Sequence, residues 1–236
     1  MQPTTQGDTH GLECPLSLDL SMLHEAFAHL NKFTDAEETL QHELLQEFCE
    51  AVSTLALTLK AKDPQLYLHC CRVQYFTQRL TQALSLQQDE SITIELAGLF
   101  HDIGKLSIHN DVLQKESYLT YQEFQDVKAH AACSAQLLSQ IKLLSNAVPM
   151  VLHHHERWDG HGYPDRLCGE AIPFGARIVA ITDAFEVMTS HRSYQTTRKP
   201  EEALTELRRC AGTQFDPVLV DRFCTSMEAD LAKHNT

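Results

Sequence analysis

The sequence predicts an all-α fold, and three observations carry that prediction. Nine glycines and eight prolines in 236 residues are few for a turn-rich β protein. Apolar residues recur at helical spacing along most of the chain, and no alternating strand pattern competes with them. Helix-start signals, a capping Thr or Asp with a proline or an acidic partner behind it, open several of the periodic segments.

The elements follow in order. Residues 1 to about 16 are polar, contain Gly and Pro, and show no period, so a loose arm is expected there, with ordered chain beginning near Leu18. Thr34 and Glu37 form a capping-box pattern, and Leu40, Leu44, Phe48, Val52, Leu55 and Leu59 continue it as a helix to Lys62. Asp63-Pro64, a cap followed by proline at the first helical position, opens the next helix, which carries His69. A helix from about Ile92 runs through IELAGLFHD to Gly104, read as its C-terminal stop. Thr120 with Glu123 starts the helix of His130. Pro149 to about Glu156 reads as a shorter helix, followed by the loop RWDGHGYPDRLCGEAIP, whose glycines and prolines break any period. Helix resumes near Phe174 and carries Asp183. Two last helices begin at Pro200 and Pro217; Gly212 ends the first and Asp216 caps the second.

The length allows one large domain with a short extension, divided as an N-terminal arm and helical extension over 1–62 and a main domain over 63–236. Residues 17–62 read as two helices packed on that domain; dimerisation, signal relay and simple support all remain open for them. A net charge of −13, with no long run of Lys or Arg, argues against duplex nucleic acid as a partner. It does not exclude a phosphate ester, because metal ions can reverse the local potential inside a site. The eight cysteines are scattered with no CxxC pair, which fits reduced thiols in a cytoplasmic protein. No apolar run approaches the ~18 residues of a membrane span, and no secretory leader is evident.

Three features carry chemistry. His101-Asp102 closes an apolar helix and is followed by Gly104 and Lys105, a pair that is weak evidence when taken alone. His153-His154-His155-Glu156 is a second ligand-like cluster. Asp183 interrupts the apolar helix RIVAITDAF, where an aspartate is unfavourable by propensity and costly if buried, so it needs a strong partner such as a cation.

Together these stretches resemble the HD-GYP phosphodiesterases, a branch of the HD superfamily that hydrolyses cyclic di-GMP. The resemblance rests on HDIGK at 101–105, His130 in KAHAACSAQLL, HHERWDGHGYP at 154–164, IPFGARIVAITDAFEVMTSHRSY at 172–194 and FDP at 215–217, and covers roughly Pro64 to Ala232. It implies an HD-superfamily helical bundle with a GYP loop and extra N-terminal helices. It also implies two divalent metal ions: one held by His69, His101, Asp102 and Asp183, the other by His130, His154 and His155 with Asp102 as the bridge. Histidine and carboxylate without thiolate suits iron or manganese, with nickel, cobalt or zinc as alternatives. Two metals about 3.5–4 Å apart can share a hydroxide that attacks phosphorus.

The resemblance assigns Lys105 to phosphate charge and Arg192 to a bidentate phosphate clamp. Tyr163 either packs at the pocket wall or presents its hydroxyl to the ligand, and Trp158 is read as a packing anchor. The implied partner is a cyclic dinucleotide, opened to pGpG and then to GMP, with the GYP loop as a candidate contact for a protein partner. Alternatives are another phosphate ester, or a metal-binding sensor with weak or no turnover. The match departs at Gln65, where a glutamate serves a third metal in some members, and at Gln195, where a basic residue is usual. His161 replaces a small residue, and Glu186 stands where aspartate is more usual. His153 lies one position before the double histidine and is not expected to be a ligand.

Overall fold

A computed structural model describes residues 35–190, apart from 114 and 116, and residues 197–234. Its helices are α1 (Asp35–Lys62), α2 (Pro64–Ala83), α3 (Gln88–Phe100), α4 (Asn110–Leu113), α5 (Tyr121–Leu138), α6 (Val148–Leu152), α7 (Phe174–Thr189), α8 (Pro200–Arg209) and α9 (Pro217–His234). Among the described residues no strand forms, and the one β-type contact is an isolated bridge between Ala211 and Phe215. None of the helices is long and apolar enough to cross a membrane.

Three of the caps expected from sequence form, while Thr34 of the fourth lies outside the described residues. The Asp63 side chain accepts from the Leu66 amide at 2.9 Å, and Thr120 and Glu123 close a full capping box. Asp216 Oδ1 accepts from the Val218 amide at 2.9 Å. α3 begins at Gln88, one turn before the expected Ile92. Two helix ends also differ from expectation, each for a physical reason. α3 ends at Phe100, three residues before Ile103, and Gly104 lies in a 3₁₀ turn spanning Ile103–Ser107. A Cβ at Gly104 would collide with the His130 carbonyl oxygen and sit 2.7 Å from the Ser134 nitrogen. That glycine therefore serves the close approach of the His101-Asp102 turn to α5, and does not terminate a helix. α6 stops at Leu152, short of the histidines. Consecutive residues of an α-helix diverge by about 100°. Two neighbouring histidines can face one point only if the helix ends first.

The core is one continuous packing of two clusters with α2 between them. Phe48, Val52, Ala56 and Leu59 of α1 pack with Cys70 and Val73 of α2 and with Leu96, Leu99 and Phe100 of α3. On the other side Phe76 and Leu80 of α2 meet Ile178, Ile181 and Phe185 of α7 and the apolar faces of α8 and α9. Phe185 joins them through edge-to-face contacts with Phe76 and Phe223, at 4.9 and 5.1 Å between ring centres. The cysteines among the described residues are free thiols. The other helix expected in residues 17–33 lies outside the described residues.

One buried group works against stability. Glu95 of α3 is 5% exposed, and burial pushes its carboxyl up to about 7, with only a weak opposing bond from the Thr81 hydroxyl. Because the folded-state value lies above the ordinary 4.5, the native state keeps the proton longer than the unfolded chain does. The contribution of Glu95 to stability is therefore full below about pH 4.5 and is lost as pH rises to 7, by on the order of 3 kcal/mol when the shift is complete. Glu95→Gln is expected to raise the melting temperature at pH 8 and leave it nearly unchanged at pH 5. Equal shifts at both values in thermal melts would refute this reading.

Candidate metal centre

Five elements deliver seven side chains to one buried place. α2 supplies His69, the end of α3 supplies His101 and Asp102, and α5 supplies His130. The turn after α6 supplies His154 and His155, and α7 supplies Asp183. They fall into two groups able to hold a metal ion, one of Asp102, His130, His154 and His155, the other of His69, His101 and Asp183.

Asp102 connects the groups. Its Oδ2 lies 3.4 Å from the Nε2 atoms of both His69 and His101, and its Oδ1 lies 3.1 Å from that of His130. Asp183 Oδ1 closes the first group at 3.3 Å from His69 Nε2 and 3.8 Å from His101 Nε2. His130 Nε2 stands 3.2 Å from His155 Nε2 and 3.5 Å from His154 Nε2.

The hydrogen bonds on the outer edge of each ring decide what these contacts mean. Nδ1 of His101 faces the Gly98 carbonyl at 2.8 Å, Nδ1 of His154 faces the Val151 carbonyl at 2.6 Å, and Nδ1 of His130 faces the Val127 carbonyl. A carbonyl oxygen only accepts, so each Nδ1 carries the ring proton and each neutral Nε2 presents a lone pair. Lone pairs of His130 and His154 thus converge without a proton between them. His101 Nε2 and Asp102 Oδ1 are buried with no hydrogen-bond partner. Converging, unpartnered, buried acceptors are stable only around cations. The donor set therefore fits divalent metal.

The electrostatics agree. Burial opposes ionisation of Asp102, but the Lys105 ammonium beside it holds it well below the carboxylate range. Asp183 is likewise held low against burial, chiefly by His69. Burial, reinforced by the neighbouring histidines, holds His154 far below its ordinary value, and burial brings His155 down to about 4. His69 goes the other way: burial opposes its charge, yet Asp102, Asp183 and Glu186 raise it well above the ordinary value. The acidic group and the imidazole group are thus tuned in opposite senses around one carboxylate.

Lys105 reaches back from the 3₁₀ turn and pairs with Asp102 Oδ2. Tyr163 stacks on His155 with ring centres 4.9 Å apart. Its Gly162 neighbour lets the loop fold back on the histidine segment, since a Cβ there would fall 2.5 Å from the Arg157 nitrogen and 2.6 Å from the His155 oxygen. His153 faces away from the centre, with Nε2 2.9 Å from Asp165. Trp158 is bound through its backbone to Gln214 and Gly169. Gln65 is exposed on α2. Arg192 and Gln195 lie outside the described residues.

One pair of residues supports the centre in a role that the sequence did not assign, Glu186 having stood out only as a replacement for the more usual aspartate. Glu186 accepts from His69 Nδ1 at 2.5 Å, from Arg72 Nε at 2.6 Å and from the Ser190 hydroxyl at 2.6 Å. Burial opposes its charge, but His69 and Arg72 hold its carboxyl down at about 2. The available signal was spacing: Arg72 follows His69 by three residues and Glu186 follows Asp183 by three, so each shares a helix face with a ligand candidate.

A family model described as HD domain matches residues 53–219. The chain belongs to the HD domain family. Two curated relatives of this HD-domain chain are the 3'3'-cGAMP-specific phosphodiesterase 2 of Vibrio cholerae and the cyclic di-GMP phosphodiesterase response regulator RpfG of Xanthomonas campestris pv. campestris. The first is 33% identical over 197 residues, 83% of this chain and 36% of the relative. The second is 37% identical over 174 residues, 73% of this chain and 46% of the relative. The chain thus spans less than half the length of either. With these relatives and the stretch HHERWDGHGYP at 154–164, it falls in the HD-GYP branch. A solved structure of a cyclic GMP-AMP specific phosphodiesterase from Vibrio cholerae superposes with a TM-score of 0.59, over 79% of this chain and 50% of that one, at 21% identity. That likeness concerns the fold alone.

Glu186→Gln is expected to weaken metal binding about tenfold, because it removes the charge that orients His69. Competition titration against a chromophoric chelator measures this, and unchanged affinity would remove Glu186 from any orienting role.

Proposed function

We propose that this chain is a metal-dependent phosphodiesterase that opens cyclic di-GMP to the linear dinucleotide pGpG, and that the same centre can cut pGpG on to GMP. The observation that carries the reading is the sharing of Asp102 between two groups of inward-facing imidazole nitrogens. That arrangement is suited to two ions, one beside His69, His101 and Asp183, the other beside His130, His154 and His155. A donor set of nitrogen and oxygen without sulfur favours iron or manganese. Divalent ions bound there supply Lewis acidity at the phosphoryl oxygens and an activated water at neutral pH.

The protein's own residues do the rest. The Nδ1–H bonds of His101, His130 and His154 to backbone carbonyls fix each tautomer and ring plane before substrate arrives. Glu186 and Arg72 do the same for His69. Lys105 is half-buried beside Asp102, where its ammonium can neutralise charge that grows on a phosphoryl oxygen. Tyr163 covers one face of His155 and keeps water from that side. Arg192 is assigned to the phosphate clamp on the strength of the family motif HRSY.

A second substrate has specific support, since one relative at 33% identity is named for 3'3'-cGAMP. Both readings share the chemistry and differ in one base. Metal-reconstituted protein should be given cyclic di-GMP, 3'3'-cGAMP and cyclic di-AMP separately, with products followed by chromatography. The expected result is pGpG from cyclic di-GMP at the highest rate; faster cutting of 3'3'-cGAMP reassigns the substrate, and no product from any of them ends the hydrolase reading. Lys105→Ala should keep the parent's metal content and lose on the order of 100-fold in turnover. Hydrolysis at the parent rate would remove Lys105 from the chemistry.

A further inference from the structure

Beside the metal centre lies a second cavity of about 550 Å³, within the range of about 300–1,000 Å³ typical of ligand sites. His155 and Tyr163 form the wall that the two spaces share. Its remaining lining includes Phe124, Lys128, Arg157, Arg166 and Gln214, and no carboxylate. That is unusual for a chain with a net charge of −13. Arg157 is already neutralised by two bonds to Asp159, at 3.0 and 2.7 Å. Lys128 and Arg166 form no ion pair among the described residues. Lys128 Nζ instead lies 4.5 Å from the ring centre of Phe124 and 5.3 Å from that of Tyr163. Phe124 leaves 46% of its surface exposed. Arg166 occupies the left-handed region at φ 56°, where a glycine would rest more easily.

Two uncompensated cations and an exposed aromatic ring match a phosphate joined to a flat base. A cyclic dinucleotide carries two phosphodiesters on opposite sides of its ring. Only one can occupy the metals while it is cut, and the other half must lie against neighbouring protein. We propose that this cavity is the subsite for the phosphate that is not being cut and for the base attached to it. Lys128 and Arg166 bind that phosphate, and the open side of Phe124 receives the base. The inference rests on the reading of the metal centre as a cyclic-dinucleotide phosphodiesterase, and it makes the cavity the element that selects dinucleotides over single nucleotides.

The test compares affinities on the metal-loaded protein by calorimetry, with a non-hydrolysable phosphorothioate analogue of cyclic di-GMP as the two-phosphate probe and GMP as the one-phosphate probe. Lys128→Met and Arg166→Gly are each expected to weaken the analogue about tenfold and GMP by less than twofold. Lys128→Arg keeps the charge and should restore the affinity, which separates lost binding from a disturbed fold. Lys142→Met removes one positive charge from an exposed site outside the cavity and should change neither affinity. An unaltered analogue affinity in both cavity variants, equal losses for the two probes, or no binding of the analogue by the parent protein would overturn the subsite. Turnover of cyclic di-GMP by the parent protein, measured alongside, tests the hydrolase reading separately: a parent that binds the analogue but cuts nothing loses the enzyme and keeps the subsite.

Discussion

The interaction on which the rest of this structure depends is the contact of one carboxylate, Asp102, with imidazoles from both sides. Its two oxygens face different histidine groups, at 3.4 Å on one side and 3.1 Å on the other. An aspartate 1% exposed among ring nitrogens that already point their protons elsewhere has no favourable state without positive charge nearby. In the protein alone Lys105 and the raised basicity of His69 provide that charge. The same demand makes the place a strong site for divalent ions, which satisfy several acceptors at once.

Much of the fold can be understood as what holds these acceptors together. α2 lies between the two halves of the core, so His69 is fixed by packing on both sides. Gly104 allows the His101-Asp102 turn to touch α5, and the amide of Gly104 donates to the Ser134 hydroxyl at 2.8 Å, which brings Asp102 within reach of His130. The early end of α6 frees His154 and His155 from helical divergence. Beyond them, Gly162 and Tyr163 fold the loop back, and the Asp165 amide donates to Glu156 at 2.7 Å to hold it there. Each feature is local in sequence, and each has its effect at the same few ångströms of space.

The sequence made the helices and ligand candidates legible to different degrees. Asp63-Pro64, Thr120 with Glu123, and Asp216 are caps whose chemistry is contained within four residues, so pattern alone located three helix starts. The ligand candidates were readable because polar residues at apolar positions demand an explanation, Asp183 most clearly, and because their order matched a family. What stayed hidden depends on tertiary distance. The partnership of Glu186 with His69 joins residues 117 positions apart, and local spacing, which puts Glu186 on the face of Asp183, does not say that this face meets His69. Gly104 looked like a helix stop because the helix α5 that it touches is not adjacent in sequence. The basic cavity was invisible for the same reason, since Lys128 and Arg166 line one space only when the loop folds against α5.

The most direct test of the shared carboxylate is elemental analysis of protein purified without chelator, comparing the parent with Asp102→Ala. The account predicts two divalent ions per chain in the parent and neither in the variant, because removing one side chain strips an oxygen from both groups. A variant that keeps one ion, or a parent that binds three, would contradict it.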